Sequence, residues 1–265
     1  MTMRDRLEAV LTEIGEVGVA VSGGVDSMTL AAFAHRRAPA AAVMFHATSP
    51  AVPPQATERV RARAERDGWS LHVFDAGEFD DERYRANPVN RCYWCKTNLY
   101  DSIARHAECV IVSGANLDDL GDYRPGLDAA AERDVRHPFV EAVMDKRAVR
   151  ALAAELGLDD VSDLPASPCL SSRVETGIRV EADMLAAVDA TERFVKRQLR
   201  PQTVRCRIRN DAVVVELDRD SLARLDDAVS LGDTVAGIMG PVAPDLPIRF
   251  ETYRMGSAFL HDKQA

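Results

Sequence analysis

The sequence predicts an α/β fold, a parallel sheet with helices on both faces in the first half of the chain, followed by a small C-terminal α+β domain. Four apolar runs of strand length, at 17–21, 40–45, 71–74 and 110–112, alternate with helical patterns, which indicates right-handed crossovers between parallel strands. Beyond Pro201 the pattern changes to period 2, as in short strands. The 265 residues suffice for one large domain or two small ones.

The elements follow in order. Leu7, Val10, Leu11 and Ile14 fall at helical spacing, and Gly15 stops a helix over 3–14. The first strand ends in Ser22-Gly23-Gly24, and a helix resumes through 28–33. Helical patterns at about 54–67 and 94–106 separate the next strands, and another helix covers about 146–156, closed by Gly157. Residues 158–180 contain Pro165 and Pro168 and few periodic apolar positions, so a long ordered loop is expected there, a kind usually functional. A helix over about 181–199 follows. Val204, Cys206 and Ile208 then alternate with Arg205, Arg207 and Arg209, and 212–217 form a return strand after the turn residues Asn210-Asp211. The domain boundary is expected within 165–180, giving domains of 1–165 and 166–265.

Lys and Arg number 33 against 42 Asp and Glu, a net charge of −9, so the chain lacks the field that drives non-specific nucleic-acid binding, and no nucleic-acid partner is expected. With 46% hydrophobic and 28% charged residues, disordered and collagen-like classes are excluded. The longest apolar stretches, such as 38–45, fall far short of the roughly 20 residues of a membrane helix, and the N-terminal segment is charged where a signal peptide would turn apolar. A cytoplasmic protein without a membrane partner is expected. Five cysteines make a disulfide framework an unpromising reading. Cys109 and Cys206 are expected to face a core; Cys92-x-x-Cys95 and Cys169 carry more information.

The strongest motif is Ser22-Gly23-Gly24-Val25-Asp26-Ser27 between a strand and a helix. Glycines there let backbone N–H groups converge, the two serines add hydroxyl donors, and the helix N-terminus favours an anion. A phosphate fits such a turn, although the Lys and spacing of a Walker A loop are missing. The competing reading is a tight strand-to-helix turn capped by Asp26 or Ser27. The motif resembles the signature of the PP-loop ATP pyrophosphatases, which implies a Rossmann-like sheet, ATP cleaved between its α and β phosphates, and magnesium nearby. The resemblance assigns residues 22–27 to ATP.

Further segments narrow the resemblance. They are His46-Ala47-Thr48-Ser49-Pro50-Ala51-Val52-Pro53, Asn87 to Lys96 with its Cys92-Tyr93-Trp94-Cys95, Gly114-Ala115-Asn116-Leu117-Asp118-Asp119 with Asp122 and Arg124-Pro125-Gly126, Pro168-Cys169-Leu170-Ser171-Ser172-Arg173, and Tyr253-Arg254-Met255-Gly256-Ser257. Together they resemble the LarE family of ATP-dependent sulfur transferases, which build the nickel-pincer nucleotide cofactor. The resemblance runs from about residue 17 to about 257. Where the family has a Pro-Tyr pair before the next glycine, this chain has Val174-Glu175-Thr176-Gly177, and 225–247 match only loosely.

That resemblance implies a substrate, pyridinium-3,5-biscarboxylic acid mononucleotide, whose carboxylate is adenylylated and then converted to a thiocarboxylate. It implies that His46, Lys96, Gly114 and Arg124 join the ATP site. Arg173, Arg205, Arg207, Glu216 and Arg254 would take the substrate, and Cys169 would bear the sulfur. Asp26, Asp118 and Asp119 are expected near magnesium; Asp118 and its neighbours also read as first-turn acids that complement a helix dipole. The Arg205, Arg207, Arg209 row equally reads as a solvated face. Family members either sacrifice the Cys169 equivalent or hold a [4Fe-4S] cluster on three cysteines. Cys92, Cys95 and Cys169 supply three soft ligands, so the cluster is expected here, with sacrifice of Cys169 as the alternative. A structural zinc would need a fourth ligand, and no two histidines stand at a paired metal spacing. The resemblance also implies a homo-oligomer and, for the cluster route, a sulfide source that the sequence does not specify. The rival readings are a PP-loop tRNA thiolase, an amidating synthetase and a non-catalytic nucleotide or iron-sulfur carrier. A thiolase would need an RNA-binding surface, which the acidic balance disfavours.

Overall fold

The computed structural model describes residues 1–121, 123–164, 168–225 and 227–257. They form two compact units, Met1–Glu78 with Cys92–Ser167 and Phe79–Arg91 with Pro168–Ala265.

In the first unit α1 (Met3–Ile14) starts at a Thr2 capping box with Asp5 and stops at Gly15, where the backbone turns to positive φ. Then come β1 (Val17–Ala20), α2 (Val25–Arg37), β2 (Ala42–Thr48), α3 (Pro54–Asp67) and β3 (Ser70–Asp75). The short α4 (Glu82–Arg85) lies in the segment that joins the second unit, and α5 (Arg91–Ala104) and β4 (Val110–Val112) resume the first. The unit closes with α6 (Pro125–Ala131), α7 (Pro138–Glu141), α8 (Lys146–Glu155) and α9 (Asp159–Ser162).

The sheet order is β3-β2-β1-β4, parallel throughout, with Val17 opposite both Ala42 and Val110. β1 is central and buried along its length, which is why it reads as a continuous apolar run without alternation. Leu7, Leu11, Met28, Leu30, Met44 and Phe139 fill the core beside it. The winding goes from β1 through β2 to β3, then returns to β4 on the other side of β1. That reversal is a topological switch point, where doubly wound sheets bind ligands at the strand C-termini. The Ser22–Ser27 loop leaves β1 at this point.

In the second unit α10 (Ala182–Leu199) precedes β5 (Val204–Ile208), β6 (Val213–Leu217), α11 (Arg219–Ala223), α12 (Ala228–Met239) and β7 (Ile248–Thr252). β5 and β6 are antiparallel, and β7 adds parallel to β6. Leu185, Val188 and Val195 form the buried stripe of α10, which packs on β5 and α12.

The α/β class, the parallel sheet and the small α+β unit agree with the sequence expectation, as do the bounds of α1 and α3. The expected boundary at 165–166 lies outside the described residues, and 79–91 join the second unit. Hydrogen bonds explain that transfer. Val180 N donates to Arg85 O at 2.8 Å and Gly177 N to Asn87 O at 2.9 Å, while the Asn87 amide donates to the Glu175 and Ile178 carbonyls at 2.8 Å each. Within 158–180, expected as loop, α9 and a 3₁₀ turn at Leu170–Arg173 form. Among the described residues no helix is long and apolar enough to cross a membrane.

Candidate functional site

The phosphate loop is built by close backbone approach. Gly23 has φ +82°, and a Cβ there would lie 2.8 Å from the Ala56 carbonyl, so both conformation and space call for glycine. Arg59 donates to the Gly23 carbonyl at 2.7 Å. A Cβ on Gly114, after β4, would lie 2.8 Å from Ser27 N, so the strand end rests directly on the loop. Ser27 Oγ accepts from Ser22 N at 3.0 Å and lies 3.1 Å from Ser22 Oγ. No side chain caps α2 at Gly24, so the first-turn N–H groups of a thirteen-residue helix remain available to an anion. Val25 is buried and contributes only its backbone. Neither Asp26 nor Ser27 caps this helix, contrary to the turn-only reading.

His46, which the resemblance assigned to the ATP site, lies in β2. It is fully buried, with Nδ1 2.7 Å from the Val21 carbonyl and Nε2 2.9 Å from Thr57 Oγ1. Both ring nitrogens are engaged, so the side chain braces the strand beneath the loop and has no nitrogen left for a nucleotide. Burial holds its pKa below the usual histidine range.

The acids and bases around the loop form a network. Asp26 accepts from Lys146 Nζ and, at 3.4 Å, from the Asn116 amide. Asn116, 1% exposed, also accepts from Asp118 N at 3.1 Å, and its own N–H donates to Asp119 at 3.1 Å. Asp118 accepts from Lys146 N at 3.0 Å, and Asp119 pairs with Arg124 at 2.9 Å. Asp122 lies outside the described residues. Lys96, on α5, has its ammonium 5.9 Å from the Tyr100 ring centroid and its stem against Gly126. Among the described residues no three His, Cys, Asp or Glu side chains gather into a group able to hold a metal ion. The single loop carboxylate of Asp26 nevertheless suits magnesium, which is usually held by one or two carboxylates together with phosphates and waters.

In the second unit the basic residues are mostly consumed internally. Arg207 is buried and donates to Glu216 at 2.8 Å, to Ser172 O at 3.0 Å and to Arg254 O at 3.3 Å. Glu216 is fully buried and also accepts from Arg209 at 2.9 Å and from Ser257 Oγ. Arg173 is buried, with Glu192 on one side and the Pro168 and Cys169 carbonyls on the other. Burial opposes its charge, but Glu192 more than offsets this and raises its pKa. The row is therefore not a solvated face, and Arg173, Arg207 and Glu216 act as braces. Arg205 and Arg254 retain exposure; Arg205 lies 5.9 Å from the Tyr253 ring centroid, and burial lowers its pKa.

None of the five cysteines is in a disulfide. Cys92 is exposed and Cys95 half-buried on the first turns of α5, and Cys169 is half-buried just before the 3₁₀ turn of the second unit. Cys92 and Cys95 belong to the first unit and Cys169 to the second. Cys206 is fully buried, which pushes its thiol pKa up, and Cys109 is half-buried with a smaller upward push from burial.

No protein-family model matches the chain. A protein of Lactiplantibacillus plantarum named pyridinium-3,5-bisthiocarboxylic acid mononucleotide synthase is 32% identical over 241 residues, 88% of this chain and 85% of its own. The chain belongs to the LarE family. Two uncharacterized proteins are also similar to this LarE-family chain. One, from Synechocystis, is 35% identical over 235 residues, 87% of each chain; the other, from Methanocaldococcus jannaschii, is 24% identical over 206 residues, 76% of this chain and 77% of its own.

Lys146 and Asn116 in the first unit, and Glu192 and Asn87 in the second, hold hydrogen-bonding partners that the sequence reading did not assign them. Lys146 had a local signal. A cation in the first turn of a helix opposes the helix dipole, so its presence there points to an acidic partner elsewhere. Glu192 had none, because it lies within an ordinary amphipathic helix.

Proposed function

We propose that the chain is an ATP-dependent sulfur transferase that converts a carboxylate of pyridinium-3,5-biscarboxylic acid mononucleotide to a thiocarboxylate. The observation that carries this reading is the 32% identity, over 88% of the chain, to a protein named for making the bisthiocarboxylic mononucleotide. The phosphate loop after β1 supports the ATP half. A carboxylate is a poor acyl donor because oxide would have to leave. Its oxygen therefore attacks the α-phosphorus of ATP, pyrophosphate departs, and the acyl carbon gains AMP as a leaving group. Gly24, Val25 and Ser27 offer backbone and hydroxyl donors to the phosphates, with Lys146 beside them. Magnesium brought in with ATP would be held through Asp26 and would offset phosphate charge.

A thiolate then displaces AMP. In the Cys169 route its Sγ attacks the acyl carbon to give a thioester. Loss of the Cα proton and cleavage of the Cβ–Sγ bond leave the thiocarboxylate and a dehydroalanine. In the cluster route Cys92, Cys95 and Cys169 would hold a [4Fe-4S] cluster that supplies sulfide. Arg205, half-buried on β5, and Arg254, exposed, are assigned to the substrate phosphate.

Pyrophosphate release that requires the pyridinium dicarboxylate tests the reading; release without it, or none with it, refutes sulfur transfer by adenylylation. Intact mass after one cycle separates the donors. Loss of one hydrogen sulfide means sacrifice of Cys169; unchanged mass with bound iron and acid-labile sulfide means the cluster.

A further inference from the structure

We infer that Glu192 of α10 is a positioning residue for the sulfur step and acts through Arg173. The inference rests on the sulfur-transfer reading above. The Glu192 carboxylate accepts from Arg173 Nε at 2.9 Å and Nη2 at 3.0 Å, a two-bond fork. The remaining arm, Nη1, donates to the Pro168 carbonyl at 2.6 Å, the Cys169 carbonyl at 3.1 Å and Ser172 Oγ at 3.1 Å. Glu192 also accepts from the Cys206 amide of β5 at 3.0 Å. One carboxylate thus joins the backbone of the sulfur-bearing residue to the sheet.

The need for a polar brace follows from the burial profile. Pro168 is exposed and Cys169 half-buried, and apolar anchoring begins only at Leu170, 3% exposed. Arg173 holds the Pro168 and Cys169 carbonyls, which lie on either side of the Cys169 Cα, so the direction of the Cys169 Cα–Cβ bond depends on that hold. A nucleophile must stand about 3–3.5 Å from its target carbon, and a misplacement of about 1 Å costs roughly a hundredfold. Arg173, which the resemblance assigned to substrate, has all three guanidinium nitrogens hydrogen-bonded within its own unit.

The test is single-turnover kinetics of the full chain with ATP and the pyridinium dicarboxylate, reading pyrophosphate release and thiocarboxylate formation separately, with hydrogen exchange of 168–173. In Glu192→Gln, pyrophosphate release should persist near the wild-type rate, sulfur transfer should slow by about a hundredfold, and exchange at 168–173 should accelerate. Wild-type sulfur transfer in the variant, or equal loss of both steps in a folded protein, would overturn the inference. If Glu192→Gln does not fold, Arg173→Lys, which keeps the buried charge but loses the fork, must give the same split between the steps. If the wild-type protein releases no pyrophosphate with this substrate, the functional reading fails; the brace then stands or falls on hydrogen exchange, and unchanged protection of 168–173 in Glu192→Gln would refute it.

Discussion

Lys146, at the start of α8, forms an ion pair with Asp26 of the phosphate loop, 120 residues earlier in the chain. The pair places an ammonium beside the N-terminus of α2. It also compensates a cation that the α8 dipole disfavours.

Because both side chains of that pair are partly exposed, its contribution to stability is below about 1 kcal/mol. Lys146→Met is therefore expected to melt close to the wild-type temperature while ATP-dependent pyrophosphate release falls at least about tenfold. Calorimetry and a pyrophosphate assay check the two halves.

Gly23→Ala meets two penalties, a positive φ and a Cβ 2.8 Å from the Ala56 carbonyl. The backbone term alone is of order 1–3 kcal/mol, and the carbonyl cannot swing aside as a flexible side chain would. ATP binding, measured by titration calorimetry, should be lost before the fold is.

The two strand arginines should separate cleanly. Arg207→Ala leaves the buried Glu216 carboxylate with only part of its compensation and should destabilise by about 3 kcal/mol in urea unfolding. Arg205→Ala should leave stability and ATP affinity nearly unchanged and weaken binding of the pyridinium nucleotide. Equal loss of ATP binding in Arg205→Ala would contradict its assignment to substrate.

His46 predicts an acid-side loss of stability. Burial lowers its folded pKa, so below about pH 6.5 the unfolded chain binds a proton that the folded chain refuses. The stabilisation is present above the unfolded pKa and drains away as pH falls through it towards the folded value. His137, also lowered by burial, has the same sign. His46→Gln should shrink the difference in unfolding free energy between about pH 7.5 and about pH 5.5; an undiminished difference would show that His46 is not its source.

Much of the molecule was legible in contiguous residues. Ser22–Ser27 announced a tight strand-to-helix turn because a strand, paired glycines and a helix start are all local features. The extent of α1 came from Leu7, Val10, Leu11 and Ile14 at helical spacing and from Gly15, and the parallel sheet from strand-length apolar runs alternating with helical patterns. The exchange of 79–91 into the second unit was not legible, since Asn87 reaches Glu175 and Ile178 across nearly ninety residues of sequence.

The sequence by itself determined the α/β class, the position of the phosphate loop and the residue types available for sulfur chemistry. Periodicity, capping and tight-turn geometry act over a few residues, so composition and spacing suffice to encode them. Only the tertiary structure decided what each charge does. Arg173 and Arg207 look like phosphate ligands in the chain, and the fold sets half-buried Glu192 and buried Glu216 against them. A guanidinium takes whichever acid the fold brings within reach, and desolvation makes that choice binding.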